Sequence, residues 1–188
     1  MAERGKMKKI TFITGNKAKA ELLARHLKIE VDHKKLDIDE IQSLDLDEVV
    51  TKKAKSAYEI LKSPVLVEDV SLIYNALGHL PGPLIKWFLE ELDNSGLCRL
   101  INHYNKDRSA VARVAFCYYD GKESKIFDAQ IKGKIAAYPK GDKGFGWDPI
   151  FIPEGYDQTW AEMDEKDAGA SSMRKVALEK FEKYINSE

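Results

Sequence analysis

The sequence predicts an α/β protein in which short buried strands feed helices through tight turns. Three observations predict it. Residues 10–13, Ile-Thr-Phe-Ile, form a short apolar run that passes through Thr14-Gly15-Asn16 directly into a helical pattern. A second helical pattern over residues 47–61 leads into another short apolar run, Pro64-Val65-Leu66-Val67. Residues 110–138 then switch to a period of two around Asp120-Gly121, as an antiparallel hairpin does.

Composition bounds the rest. The chain has 188 residues, 44% of them hydrophobic, enough to bury a core in one domain or in two closely packed lobes. Acidic and basic residues nearly cancel, for a formal net charge of -1. Wholesale binding of nucleic acid or of an anionic membrane therefore gains no support, and an anionic ligand must be gripped by a few placed cations. Cys98 and Cys117 sit far apart in apolar patterns and read as free buried thiols of a reducing compartment. No Cys/His spacing suits a metal. Residues 1–9 are charged without an apolar h-region, and no stretch is long and apolar enough to span a bilayer. A soluble, intracellular protein is expected.

In the first helix Ala20, Leu23, Ala24 and Leu27 recur at i, i+3, i+4 and i+7. A strand, a glycine turn and a helix start expose backbone N–H groups beside the positive end of the helix dipole, which suits an anion. Lys17 and Lys19 lie in that first turn. They oppose the dipole unless an anion compensates, although surface lysines on an ordinary helix start give the same sequence. Residues 29–46 are acidic and irregular, an edge strand followed by a loop. Asp37, Asp39 and Glu40 read there as solvated carboxylates. On the helix of residues 47–61, Val50, Ala54, Ala57 and Leu61 make the buried stripe, with Asp47 and Glu48 in the first turn. Lys52, Lys53 and Lys55 lie off the stripe, on a solvated face, within reach of a phosphate for one of the three as the other reading.

The run ending at Val67 delivers Glu68 and Asp69 to the edge of a sheet, where α/β proteins place ligands. Neighbouring carboxylates repel, and a divalent cation relieves the repulsion; a solvated acidic turn is the alternative. Gly78-His79-Leu80-Pro81-Gly82-Pro83 is a stiff turn with His79 as a loop histidine. A helix follows from Leu84, with Ile85, Phe88, Leu89 and Leu92 buried and Lys86 and Trp87 beside them. A further helical pattern, Leu97, Leu100, Ile101 and Tyr104, follows Gly96. In the hairpin, Val111 to Tyr119 is apolar on both faces apart from Arg113. Phe127, Ala129, Ile131, Gly133, Ile135 and Ala137 alternate with Asp128, Gln130, Lys132 and Lys134, with a bend expected at Gly133.

In the segment Gly144-Phe145-Gly146-Trp147-Asp148-Pro149, glycines alternate with two aromatics. Such a loop admits a flat ligand against an aromatic face, and stacking on a base contributes about 1–3 kcal/mol. A tight turn with both aromatics in the core is the other reading. The last helix, residues 171–184, buries Met173, Ala177, Phe181 and Tyr184 and is capped by Ser171 or Ser172. Arg174 in its first turn runs against the dipole preference and asks for an anion or a base acceptor. An anion cradle, an acid pair and a stacking loop together describe a nucleotide site.

At this point the chain resembles the inosine triphosphate pyrophosphatase family, the Ham1-like enzymes. The resemblance rests on Thr14-Gly15-Asn16 with Lys19, on Leu66-Val67-Glu68-Asp69, on Gly78 through Phe88 and on Phe145-Gly146-Trp147-Asp148-Pro149, and it covers nearly the whole chain in order. It implies a single domain over residues 1–188, with an elongated mixed β-sheet flanked by helices and two lobes around a nucleotide cleft. It implies a cytoplasmic homodimer that binds neither nucleic acid nor membrane. The implied activity is Mg²⁺-dependent hydrolysis (Mn²⁺ as a substitute) of non-standard purine triphosphates (ITP, dITP, XTP) to the monophosphate and pyrophosphate.

The resemblance also implies roles. Asp69 is the catalytic carboxylate, with Glu40, Glu68 and Asp69 at the metal. Lys19, Lys53 and Lys86 bind the triphosphate, beside the anion cradle already read at Thr14, Gly15, Asn16 and Lys17, and Phe145, Gly146, Trp147, Asp148 and Arg174 bind the base. It thus promotes Glu40 and Lys53, which the residue pattern leaves solvated. The chain departs from the family at Asp167-Ala168-Gly169 and Ser172-Met173-Arg174, where Ala168 and Met173 replace the usual lysine and histidine. Lys166, two residues upstream, and the Met173 backbone are the substitutes expected to contact the base. Two alternatives go with these departures: a homologue that binds nucleotide without turnover, and a pyrophosphatase for modified pyrimidine triphosphates.

Overall fold

The computed structural model describes residues 10–27, 31–102 and 107–187. Residues 1–9 and Tyr104, both read above, fall outside them. The first apolar run forms β1 (Ile10–Ile13). Asn16 then caps α1 (Lys17–His26), its side chain accepting from the Lys19 backbone N–H. Ala20, Leu23 and Leu27 are buried, whereas Ala24, also expected on the stripe, is exposed. β2 (Val31–Lys34) is the parallel edge strand beside β1. The acidic stretch after it stays irregular as far as Asp45, which caps α2 (Leu46–Leu61) by accepting from the Asp47 and Glu48 N–H groups.

β3 (Val65–Tyr74) is longer than the apolar run that announced it. It does not end at Val67. Glu68 and Asp69 lie in its middle, opposite Phe116 and Ala115 of β5 (Ser109–Tyr119). β5 offers hydrogen-bonding partners along the whole of β3, so the ladder carries the strand through two charged residues. The other edge of β3 is covered differently. β1 pairs with it only up to Val67, and β4 (Pro81–Gly82) resumes the pairing at Leu72 and Ile73. Between them residues 68–71 have no partner strand on that edge among the described residues.

α3 (Ile85–Leu100) consists of two helical runs meeting at Asp93, whose φ is 53°. The Asp93 carboxylate caps the second run by accepting from the Gly96 N–H at 2.8 Å. The break therefore comes three residues before the expected boundary at Gly96, and Leu92 is exposed beside it. β5 and β6 (Ser124–Ile135) form the expected hairpin, and β7 (Phe151–Pro153) closes on β6. Gly133 serves this closure: a Cβ there would lie 2.3 Å from the Ile152 carbonyl oxygen and 2.6 Å from the Phe151 ring. α4 (Glu165–Ala170) and α5 (Met173–Ser187) complete the chain. Ser172 accepts from the Lys175 N–H at 3.2 Å, which makes it the cap, while Ser171 is held by the Trp160 indole N–H.

The strand order is β2-β1-β3-β5-β6-β7, with β4 beside β3: among the described residues, a mixed sheet of seven strands with helices packed on both faces, as predicted. Strand alternation sorts the core. Leu66, Leu72, Phe116 and Tyr118 join Leu23, Leu97 and Phe181 of α1, α3 and α5 on one face. Val65, Val67, Ala115 and Cys117 meet Val50, Ala54 and Ala57 of α2 on the other. Each buried Val, Leu or Phe side chain among them contributes about 1.5–3 kcal/mol of hydrophobic stabilisation, and the alanines less. No helix among the described residues is long and apolar enough to cross a membrane.

Candidate active site

The same alternation fixes where the two acids point. Glu68 has the parity of Leu66 and faces α1 and α5; Asp69 has the parity of Val67 and faces α2. Both line one cavity of about 490 Å³, because the open edge at residues 68–71 joins the two faces. The sequence reading put both acids past the end of a strand; the structure uses a gap in the pairing instead.

On the α1/α5 side, Glu68 is buried. Its Oε1 accepts from Arg174 Nε at 3.2 Å and Nη2 at 3.1 Å and lies 3.0 Å from Lys19 Nζ. Burial pushes its pKa up, but the two cations outweigh burial and hold it at about 2. On the α2 side, Lys53 Nζ lies 2.6 Å from Glu40 Oε1, 3.6 Å from Asp69 Oδ2 and 3.4 Å from the Glu68 carbonyl oxygen. Lys53 is thus a mostly buried hub and not a member of a solvated face, and Glu40, in the irregular segment, is drawn to it. Asp69 Oδ1 accepts from the Val70 N–H at 2.8 Å. Its pKa is raised, because burial outweighs the pull of Lys53 and Lys19. For Glu40 burial acts upward too, but contact with Lys53 leaves the pKa lowered.

The aromatic segment divides between the two readings given for it. Trp147 is buried, its ring centroid 5.8 Å from Phe151 and 5.6 Å from Trp160. Phe145 is only half-buried, with the Arg174 guanidinium 4.9 Å from its ring centroid. Asp148 Oδ2 accepts from the Phe145 N–H at 2.8 Å and so closes the turn. Gly144 has φ +74°, and a Cβ there would lie 2.2 Å from Asp148 Oδ2, so the turn requires glycine. Burial raises the pKa of Asp148 against the opposing pull of this hydrogen bond and of Arg174.

Most of the residues singled out from the sequence share the cavity: Thr14, Gly15, Asn16 and Lys19; Glu40, Lys53, Glu68 and Asp69; Lys86; and Phe145 through Asp148 with Arg174. Lys86 reaches it from the exposed face of α3, its ammonium 4.9 Å from the Trp87 ring. Three residues stand apart. The Lys17 side chain is 89% exposed and faces Glu21 at 3.7 Å, one turn along the outer side of α1. Lys166 is exposed on α4. Met173 is buried and lines a second hollow of about 670 Å³ with Ala168 and Ser172, behind Phe145, Asp148 and Arg174.

The expected carboxylate trio is not a preformed ion cage, and no group of three His, Cys, Asp or Glu among the described residues is arranged to hold a metal. Glu68 is occupied by Lys19 and Arg174 on one face, Glu40 and Asp69 by Lys53 on the other. Sequence reasoning missed Asn94, whose side-chain amide donates to the Gly146 carbonyl at 2.9 Å and so ties the break in α3 to the aromatic turn. It also missed the apolar wall formed by Leu36, Ile38 and Leu89. Neither leaves a local signal, since each depends on contacts distant in sequence.

The chain matches the model of the Ham1 family over residues 10–184. It is 41% identical over 174 residues to inosine triphosphate pyrophosphatase 2 of Trypanosoma cruzi, spanning 90% of this chain and 88% of that protein. Among solved structures, a HAM1 protein from Coxiella burnetii superposes with a TM-score of 0.86 at 25% identity, over 97% of this chain and all of that one (100%). A nucleoside-triphosphatase (dITP/XTP pyrophosphatase) from Mycobacterium abscessus gives 0.74 at 25% identity, over 92% and 98% of the two chains. The Staphylococcus aureus Ham1 protein, 22% identical with a TM-score of 0.78 over 95% and 99%, shares the fold.

Proposed function

The chain belongs to the Ham1 family, and from that premise we propose that it hydrolyses non-standard purine nucleoside triphosphates such as ITP, dITP and XTP to the monophosphate and pyrophosphate. One observation carries the reading: a carboxylate and lysine cluster opens, within a single cavity, onto an aromatic face backed by a guanidinium. Of the relatives, the Trypanosoma protein is named an inosine triphosphate pyrophosphatase and the Mycobacterium protein a dITP/XTP pyrophosphatase.

Water is the second substrate. Its oxygen bonds to the α-phosphorus, the bond from that phosphorus to the α–β bridging oxygen breaks, and pyrophosphate leaves. Asp69 orients the water and takes its proton, and a raised pKa suits a carboxylate to that work near neutral pH. Lys19, Lys53 and Lys86 neutralise the phosphates, with Thr14, Gly15 and Asn16 lining their end of the cavity. Phe145 stacks on the ring within the turn of Gly146, Trp147 and Asp148. Arg174 and backbone N–H groups donate to the 6-keto oxygen of hypoxanthine or xanthine. Adenine presents an amino donor there and leaves those donors unpaired, a mismatch that discriminates by up to about 10⁴–10⁵.

The donor chemistry also fits Mg²⁺, or Mn²⁺ in its place. Glu40 and Asp69 already converge on one ammonium, and such a hard cation is commonly held by one or two carboxylates, water and substrate phosphates. Glu40 and Asp69 would hold it, and when bound it supplies Lewis-acid polarisation of water and phosphate oxygens. By family likeness the enzyme works as a cytoplasmic homodimer that cleanses the nucleotide pool.

The test is pyrophosphate release from ITP, dITP, XTP, GTP, ATP and modified pyrimidine triphosphates, with Mg²⁺ and with chelator. The reading expects Mg²⁺-dependent release with ITP and XTP far ahead of ATP. Binding of ITP without release would make the chain a non-catalytic homologue, and faster turnover of the pyrimidines would reassign the substrate.

A further inference from the structure

Glu68 is only 4% exposed, and its Oε1 joins three elements of the fold. Arg174 reaches it from α5 through two N–H groups and Lys19 from the first turn of α1. The Arg174 and Lys19 side chains are themselves only 10% and 18% exposed. Without a counter-ion these two cations would face one another across a largely dry gap. Arg174 also lies over the Phe145 ring, while Lys19, in the first turn of α1, lines the cavity beside Thr14 to Asn16.

We propose that Glu68 is a positioning residue, one buried carboxylate that holds Lys19 for the phosphate end of the cavity and Arg174 for the ring end at a fixed separation. The inference rests on the reading of the cavity given above and deepens it. It takes Glu68 out of the metal-holding set, because its carboxylate contacts lie on the opposite face of β3 from Glu40 and the Lys53 ammonium. Removing one member of a buried ion cluster leaves the others uncompensated, and the effect is large.

The experiment compares the parent with Glu68→Gln. It measures KM and kcat for ITP and ATP, the Kd for ITP by calorimetry in EDTA, and the Mg²⁺ concentration for half-maximal activity. It also follows the ¹⁵N-labelled Arg174 Nε–H resonance, assigned with Arg174→Lys. The expected result is a rise of at least about tenfold in KM and Kd and a similar fall in ITP-over-ATP preference. Half-saturation by Mg²⁺ should stay within about twofold, and the hydrogen-bonded Nε–H signal should be lost. Unchanged KM and Kd would overturn the proposal, as would a shifted Mg²⁺ requirement at unchanged Kd. If Glu68→Gln fails to fold, Lys19→Met, Arg174→Met and the double variant decide instead. Non-additive losses of ITP affinity support a shared anchor, and additive losses overturn it. A parent that binds ITP without releasing pyrophosphate sinks the hydrolase reading and leaves the Kd and resonance measurements to judge this one; a parent that binds no ITP sinks both.

Discussion

Glu68 and Asp69 are neighbours in sequence and lie on opposite faces of β3, yet they line the same cavity. The reason is the interruption in pairing between Ile13, opposite Val67, and Gly82, opposite Leu72. An open stretch of strand edge lets a ligand meet both faces at once. Each acid is then tuned by its own side: Glu68 pulled down by Arg174 and Lys19, Asp69 pushed up by burial.

Asp69→Asn should lower pyrophosphate release from ITP by about 10²–10⁴-fold, the usual contribution of a general base. Its thermal midpoint should match or exceed that of the parent. A folded-state pKa above the unfolded one means that the ionised carboxylate works against stability at neutral pH, and Asn removes that strain. Activity within a few-fold of the parent, or a clear drop in midpoint, would remove Asp69 from this role.

The acid stability profile should carry Glu68's signature. Its folded pKa of about 2 lies below the ordinary value of 4.5. The stabilisation is therefore fully present above about pH 4.5 and is lost as pH falls toward 2, where the unfolded chain binds a proton that the folded one does not. Urea unfolding of the parent and of Glu68→Gln should differ most near neutrality and converge near pH 2. A gap that stays constant with pH would contradict the burial and pairing described.

How much of this was legible beforehand depends on whether the cause was local. β1, the turn at Thr14 to Asn16, the β5–β6 hairpin and α5 follow from period and turn chemistry, and each lies where the pattern put it. The pattern could not see that β5 would carry β3 through Glu68 and Asp69, because that is decided by residues about fifty positions away. Lys53 and Glu40 looked solvated for the same reason: only the folded chain brings them within 2.6 Å. Lys17 looked like Lys19 in sequence, but two residues on a helix turn a side chain to the opposite side, and only Lys19 faces the cavity.

Gly144→Ala should damage binding more than folding. The added Cβ meets Asp148 Oδ2, and alanine resists a φ of +74°. The hydrogen bond from the Phe145 N–H to Asp148 should be lost and the ring freed from its place beside Arg174. KM for ITP should rise severalfold, with a midpoint loss consistent with about 1–2 kcal/mol. An unaltered KM would mean that the turn does not place the ring.

Arg108 tests the frame and not the cavity. Its guanidinium donates to the carbonyls of Ile135 (2.7 Å), Cys98 (2.9 Å) and Ala136 and to the Asn102 side chain (3.0 Å). It thereby fastens the end of α3 to the end of β6. Arg108→Ala leaves several carbonyls without a donor, each of which costs about 1–3 kcal/mol where water cannot replace it. Denaturant unfolding should show a loss of about 2–4 kcal/mol, while KM for ITP in the folded protein stays at the parent value.

Cys98 and Cys117 should be inert while the protein is folded. Both are buried, and burial pushes each thiol up to about 11 despite neighbouring cations. A raised pKa leaves almost no thiolate at pH 8, and the thiolate is the nucleophile. An alkylating reagent at that pH should label neither residue within the time that labels both in guanidinium, so labelling reports on opening of the fold. Cys117 lies on the α2 face and Cys98 on the face of α3, so each thiol monitors a different side of the sheet. If both become reactive at the same denaturant concentration, the two faces unfold together; if Cys98 reacts first, the kinked helix at Asp93 opens before the sheet does.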